Sequence, residues 1–198
     1  QAIMDACQSG YIAGQVVGVL SNKADAYGLV RAQQAGINTA IINHKEFATR
    51  QDFDLAMQKI IDAWQPDVVV LAGFMRILTP AFVQHFEGKL INIHPSLLPL
   101  YKGLHTHQRV LATGDKLHGC SVHFVNAELD GGAVIAQAVI AVAANEAEQS
   151  LIQRVHKLEH IIYPLVLNWL SYGRLSYQQG LPVLDGQPLS TPMKLLFD

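Results

Sequence analysis

Asn92 and His94 stand two residues apart at the end of an apolar run, Leu90–His94, that Pro95 interrupts. Alternate residues of a strand face the same side, so an amide and an imidazole would project there together. Both groups can donate a hydrogen bond to an oxyanion, and an imidazole also exchanges protons near neutral pH. Pro95 and Pro99 stiffen the loop that follows and would hold that geometry. Asp130, just before Gly131-Gly132, supplies a carboxylate that would orient such a ring and favour its charged form. On spacing alone two plainer readings stay open: a turn-forming Asn beside a surface His, and Asp-Gly-Gly as an ordinary hairpin turn.

Other chemistries fit less well. The sequence has nine histidines, with His105 and His107 close together and His118 and His123 downstream, but no His-Glu-x-x-His pattern, cysteine pair or acidic cluster completes a metal site. Thr106, between His105 and His107, is instead a candidate helix cap. Ser96 lacks the Gly-x-Ser-x-Gly elbow of a hydrolase nucleophile, and no Gly-x-Gly-x-x-Gly follows a strand. A net charge of -2 gives no electrostatic reason to expect nucleic acid or an anionic membrane as partner. The longest apolar run, Val68–Met75, falls far short of the about twenty residues that a membrane span needs. Two cysteines, Cys7 and Cys120, are too few for a disulfide framework, and with no visible signal peptide they point to reduced thiols in a cytoplasmic protein.

The elements that must position these side chains alternate. Gln1–Cys7 reads as a helix already under way, without a capping residue. Strands are expected at Gln15–Leu20, Ile37–Ile42, Pro66–Leu71 and Leu90–His94, the third continuously apolar as a strand covered on both faces should be. Helices are expected at Asp25–Ala35, stopped by Gly36, and at Gln51–Gln65, where Phe53, Met57, Ile60, Ile61 and Trp64 share one face. Such alternation argues for an α/β fold with a Rossmann-like, mostly parallel sheet flanked by helices. Ligands then bind beyond the carboxyl ends of the strands, which selects Gly73–Leu78 and Asn92–Pro99. The second half is expected to be antiparallel, with strands at Ser121–Val125 and Ala133–Val142. After these come a long helix at Glu146–Tyr172 kinked at Pro164 and a hairpin at Asp185-Gly186. A single domain over residues 1–198 is the expected organisation.

Several segments together resemble the phosphoribosylglycinamide formyltransferase family. They are Ala72-Gly73-Phe74-Met75-Arg76-Ile77-Leu78, Ile91–Pro99, Gly103-Leu104-His105-Thr106-His107, His123-Phe124-Val125 and Glu128-Leu129-Asp130-Gly131-Gly132, with Ser21–Asp25 and Glu159-His160 also fitting. The resemblance runs from the first residue to about Leu175. Methionyl-tRNA formyltransferases and formyltetrahydrofolate hydrolases share the Asn-x-His and the later Asp, but His94–Pro99 followed by Gly103–His107 looks like the glycinamide ribonucleotide enzymes.

The resemblance implies formyl transfer from 10-formyltetrahydrofolate, as co-substrate and without a metal, to the amine of glycinamide ribonucleotide in purine synthesis. A monomer or homodimer acting on small molecules is expected. Carried over residue by residue, the catalytic trio falls on Asn92, His94 and Asp130. The folate pocket falls on Arg50, on Met75, Arg76, Ile77 and Leu78, on Asn92, and on Asn126, Ala127, Glu128, Leu129 and Asp130. The nucleotide side falls on His156, Lys157, Leu158 and Glu159, with Glu159 accepting from ribose hydroxyls. The family begins with a strand and a Gly/Ser/Asn-rich turn that holds the substrate phosphate at a helix N-terminus; either both precede Gln1, as the helix already under way there suggests, or this protein lacks them. The rival readings are a hydrolase that releases formate from the same folate and a folate-binding domain without activity.

Overall fold

Each strand of the first half is short because only the residues that find a partner keep strand geometry. The structure is a computed structural model that describes residues 1–198. β1 (Val19–Ser21) and β2 (Thr39–Ile41) pair with each other in parallel and form a two-stranded unit. β3 (Val69–Leu71) pairs in parallel with β4 (Leu90–His94). β4 then pairs antiparallel with β5 (Leu117–Phe124), and β5 with β6 (Val134–Ala141). The last strand, β10 (Met193–Leu196), returns to lie parallel beside β6, giving the order β10-β6-β5-β4-β3. β7 (Leu175–Gln178), β8 (Leu181–Leu184) and β9 (Gln187–Pro188) make a separate antiparallel sheet.

Helices cover the sheet according to their apolar faces. α3 (Arg50–Trp64) buries Phe53 and Met57, and α4 (Pro80–His85) buries Phe82 and Val83; with Ile42, Leu78, Phe86 and Leu90 they form the smaller core. α6 (Glu148–Ser171) buries Leu151, Val155, Ile162 and Val166 against Ile91, Val122, Ile135 and Ala136 in the larger core, on which α1 (Ala2–Gln8) also packs through Ile3 and Ala6. β3 is indeed covered on both faces: Val68 and Val70 lean on the larger core, Val69 and Leu71 on the smaller. By the same alternation Ile91 and Ile93 face the larger core, so Asn92 and His94 project on the side of Leu90 and the smaller one. α2 (Tyr27–Gln34) ends before Gly36, whose φ of 70° is the left-handed geometry that closes a helix.

Several expectations are corrected. Gln15 to Gly18 and Pro66 to Val68, expected as strand, lie outside β1 and β3, because ladder pairing begins only at Val19 and Val69. Thr106 does not cap α5 (Thr106–Thr113): the cap position is His105, at φ 57°, and the buried Thr106 hydroxyl has no partner. The long helix runs from Glu148 to Ser171, shorter at both ends than expected, with Pro164 buried inside it. The Asp185-Gly186 turn has φ 50° and 78°, the doubly positive pattern that joins β8 to β9.

Buried polar groups fasten the loop after β4. Ser121, opposite His94 in the ladder, donates to the Ser96 carbonyl at 2.7 Å and accepts from the Leu98 amide at 3.1 Å. Gln137 donates to the Leu98 carbonyl at 2.8 Å. Tyr163 on α6 places its hydroxyl 2.8 Å from the Leu71 carbonyl and 3.1 Å from that of Ile91, so one phenol ties the carboxyl end of β3 to the first residues of β4.

Two consequences are testable. A Cβ at Gly132 would overlap the Phe124 carbonyl. Gly132→Ala should therefore destabilise the protein by about 1–3 kcal/mol, read from the denaturant midpoint. His118 is buried, with Nε2 3.0 Å from His107 Nδ1, and burial pushes its pKa from 6.5 down to about 4. The unfolded chain then binds this proton first, so stability is full above about pH 6.5. It is lost at about 1.4 kcal/mol per unit as the pH falls toward 4. An imidazole resonance showing His118 charged at pH 5 would contradict this.

Candidate active site

Antiparallel pairing builds the centre. Asn92 lies directly opposite His123 in the β4–β5 register, and its Nδ2 is 3.2 Å from His123 Nε2. His123 Nδ1 is 2.9 Å from the Phe124 carbonyl, which can only accept, so Nδ1 carries the hydrogen. In the neutral ring Nε2 is then an acceptor, and it takes one N–H of the Asn92 amide. Burial holds His123 below the usual imidazole range, against the pull of the Phe124 carbonyl and Asp130. One amide hydrogen of Asn92 is thereby committed, and the amide's orientation is fixed.

His94 and Asp130 meet beside this pair. His94 Nδ1 is 3.5 Å from Asp130 Oδ2, with both side chains 8% exposed. Asp130 Oδ1 is also 3.9 Å from His123 Nε2. The carboxylate accepts the Gly103 amide at 2.8 Å, and His94 Nε2 donates to the Tyr101 carbonyl at 2.9 Å. Both nitrogens of His94 thus face oxygen acceptors, an arrangement that only the doubly protonated ring satisfies in full. Asp130 reaches this position through a strained turn, with φ 47°, and Gly132 lets the chain pass against the Phe124 carbonyl. The turn reading of Asp-Gly-Gly and the functional one therefore describe the same residues.

The remaining expected residues divide. Asn126 holds its loop, donating to the Gly131 carbonyl at 3.2 Å and accepting from the Glu128 amide at 3.0 Å. Ala127, Glu128 and Leu129 are exposed beside Asp130, and Glu128 pairs with Lys102 at 2.7 Å. Met75 and Ile77 are exposed, and Arg76 lies 5.2 Å over the Phe53 ring. Leu78 is buried in the smaller core, so its side chain is not offered to a ligand. Arg50 is exposed at the start of α3.

On the other face of β4, a cleft of about 190 Å³ is lined by Ala72, Gly73, Ile93, His156, Glu159 and Tyr163, among others. His156 Nε2 is 3.5 Å from Glu159 Oε2, and burial raises the Glu159 pKa while His156 opposes it. Lys157 is exposed on the flank, whereas Leu158 points into the larger core and offers no side chain to the cleft. A wider cleft of about 930 Å³, between α1, α2 and Trp64, contains none of the expected catalytic residues.

Sequence reasoning missed His123, Tyr101 and Gly103 as parts of the centre. His123 had no distinguishing spacing, since its relation to Asn92 exists only through the β4–β5 register. Tyr101 and Gly103 act through backbone atoms, which side-chain chemistry does not reveal.

Known proteins resemble this chain in sequence and in structure. A family model described as formyl transferase matches residues 1–167. Phosphoribosylglycinamide formyltransferase of Escherichia coli K12 is 55% identical over 189 residues, covering 96% of this chain and 89% of that protein. The protein of the same name from Haemophilus influenzae is 48% identical over the same shares. The solved phosphoribosylglycinamide formyltransferase of Coxiella burnetii superposes with a TM-score of 0.94 at 52% identity, covering 98% of this chain and 92% of that one. This chain belongs to the formyl transferase family.

Proposed function

We propose that this chain transfers the formyl group of 10-formyltetrahydrofolate to the amine of glycinamide ribonucleotide, as a step of cytoplasmic purine synthesis carried out by residues 1–198 as one unit. The observation that carries the reading is the convergence of Asn92, His94 and Asp130, with His123, at the carboxyl end of β4. The folate lies against Arg50, Met75–Leu78, Asn92 and Asn126–Asp130. The nucleotide lies against His156 and Glu159, with Lys157 on the flank.

The neutral amine attacks the formyl carbon, a C–N bond forms, and the carbonyl oxygen takes the negative charge. The uncommitted N–H of Asn92 donates to that oxygen, and so does His94 once Nε2 leaves the Tyr101 carbonyl. Asp130 holds the ring from the Nδ1 side. His94 then gives its Nε2 proton to the folate nitrogen as that nitrogen's bond to carbon breaks and the C=O re-forms, and the proton lost by the attacking nitrogen passes, directly or through a water, to the imidazole nitrogen so vacated. Holding both substrates in one site supplies the remaining acceleration by proximity.

The direct test supplies formyl-folate with and without the nucleotide. Turnover is expected only with both; formate released without the amine would establish the hydrolase instead. His94→Ala and Asp130→Asn should each lower kcat by on the order of a hundredfold while folate affinity stays within about twofold. Full activity of Asp130→Asn would remove the carboxylate from the mechanism. His123→Leu should lower kcat about tenfold by freeing the Asn92 amide, and His123→Gln, which keeps an acceptor, should recover much of that loss.

A further inference from the structure

Tyr101 and Gly103 reach the reacting centre only through their backbone, and what holds that backbone lies on its far side. The Tyr101 carbonyl meets His94 Nε2 at 2.9 Å, and the Gly103 amide meets Asp130 Oδ2 at 2.8 Å. Tyr101 itself stands at φ 55°, in the left-handed region that favours glycine. A tyrosine keeps such a conformation only where its surroundings enforce it.

The Tyr101 side chain supplies that enforcement. A carboxylate can only accept, so the phenol gives its hydrogen to Asp115 Oδ2 at 2.5 Å and leaves its lone pairs to the Thr113 hydroxyl 2.6 Å away. The Arg109 guanidinium lies 5.2 Å over the same ring and donates to the Lys102 carbonyl at 2.7 Å. All three partners sit on α5 or just after its end at Gly114. The segment is thus tied to α5 on one side and holds His94 and Asp130 on the other. Asp115 forms no ion pair, and the helix dipole disfavours a carboxylate just past a helix C-terminus. Its one side-chain hydrogen bond is the charge-assisted one from Tyr101.

We infer that Tyr101 is a positioning residue: its phenol, anchored by Asp115, keeps its own carbonyl on His94 and the Gly103 amide on Asp130, so that ring and carboxylate are aligned before the substrates arrive. The inference rests on the transfer reading above and extends it to two side chains, Tyr101 and Asp115, which that reading leaves without a task.

Tyr101→Phe keeps the ring under Arg109 and removes the phenol bonds. Its kcat should fall about tenfold, with KM for both substrates within about twofold of the intact chain, because alignment and not binding is lost. Asp115→Leu should match it and carries the same expectations if Tyr101→Phe does not fold. Asp115→Asn, whose amide oxygen still accepts from the phenol, should recover most of the rate. The Tyr101→Phe/Asp115→Leu double variant should be no slower than either single one, since both remove the same bond. A second readout needs no turnover. The Nε2 proton of His94, identified by its loss in His94→Ala, should give a resolved downfield resonance in the intact chain and in Asp115→Asn, and exchange with water too fast to be seen in Tyr101→Phe. A kcat of Tyr101→Phe within about twofold of the intact chain, a rise in KM alone, or losses that add in the double variant would overturn the inference. Should the intact chain transfer no formyl group, the transfer reading fails and the resonance decides: its loss in Tyr101→Phe keeps the anchor, and an unchanged spectrum removes it.

Discussion

A cluster of buried polar side chains can persist only if nearly every donor and acceptor in it is matched, because an unmatched buried group costs about 1–3 kcal/mol. Around Asn92 that matching is provided by the antiparallel contact of β4 and β5. It sets His123 across from Asn92 and Ser121 across from His94. The Phe124 carbonyl fixes the His123 tautomer, and that tautomer fixes the Asn92 amide. A shift of register by one residue would turn these side chains into the opposite face, so the ladder is what the site depends on.

Other parts of the fold protect this register. Ser121 and Gln137 fasten the loop after His94 to β5 and β6, and Tyr163 joins the end of β3 to the first residues of β4 from the long helix behind them. The Tyr101–Gly103 segment closes the remaining side by taking His94 Nε2 and giving an amide to Asp130. In the proposed reaction His94 gives up this contact in order to donate to the oxyanion. The exchange replaces a neutral carbonyl by a charged acceptor, so it favours the reacting complex over the resting one.

Two faces of β4 divide the labour. Asn92 and His94 project toward the smaller core and the Asp130 turn, while Ile93 borders the cleft containing His156 and Glu159. A strand alternates its side chains, so one short segment borders both the Asn92, His94 and Asp130 cluster and a separate cleft.

Much of this was legible in the sequence. The helical spacing of Phe53 and Met57, the uninterrupted apolar run before Gly73 and the Asp185-Gly186 turn report local preferences, and each recurs in the fold. The Asn92-x-His94 pair was visible as well, since neighbours two apart on a strand share a face whatever surrounds them. The split of the parallel strands into a two-stranded unit and a five-stranded sheet was not visible, nor was the return of β10 beside β6. The place of His123 was hidden for the same reason. The 22 residues between His94 and Leu117 leave the register of β5 against β4 open to the chain, and only packing of both strands on the larger core selects it. The sequence by itself determined which chemically capable side chains share a strand face or a turn, because residue type and local spacing are local properties. The tertiary structure alone decided which of them touch, because those contacts join segments that only a common core brings together.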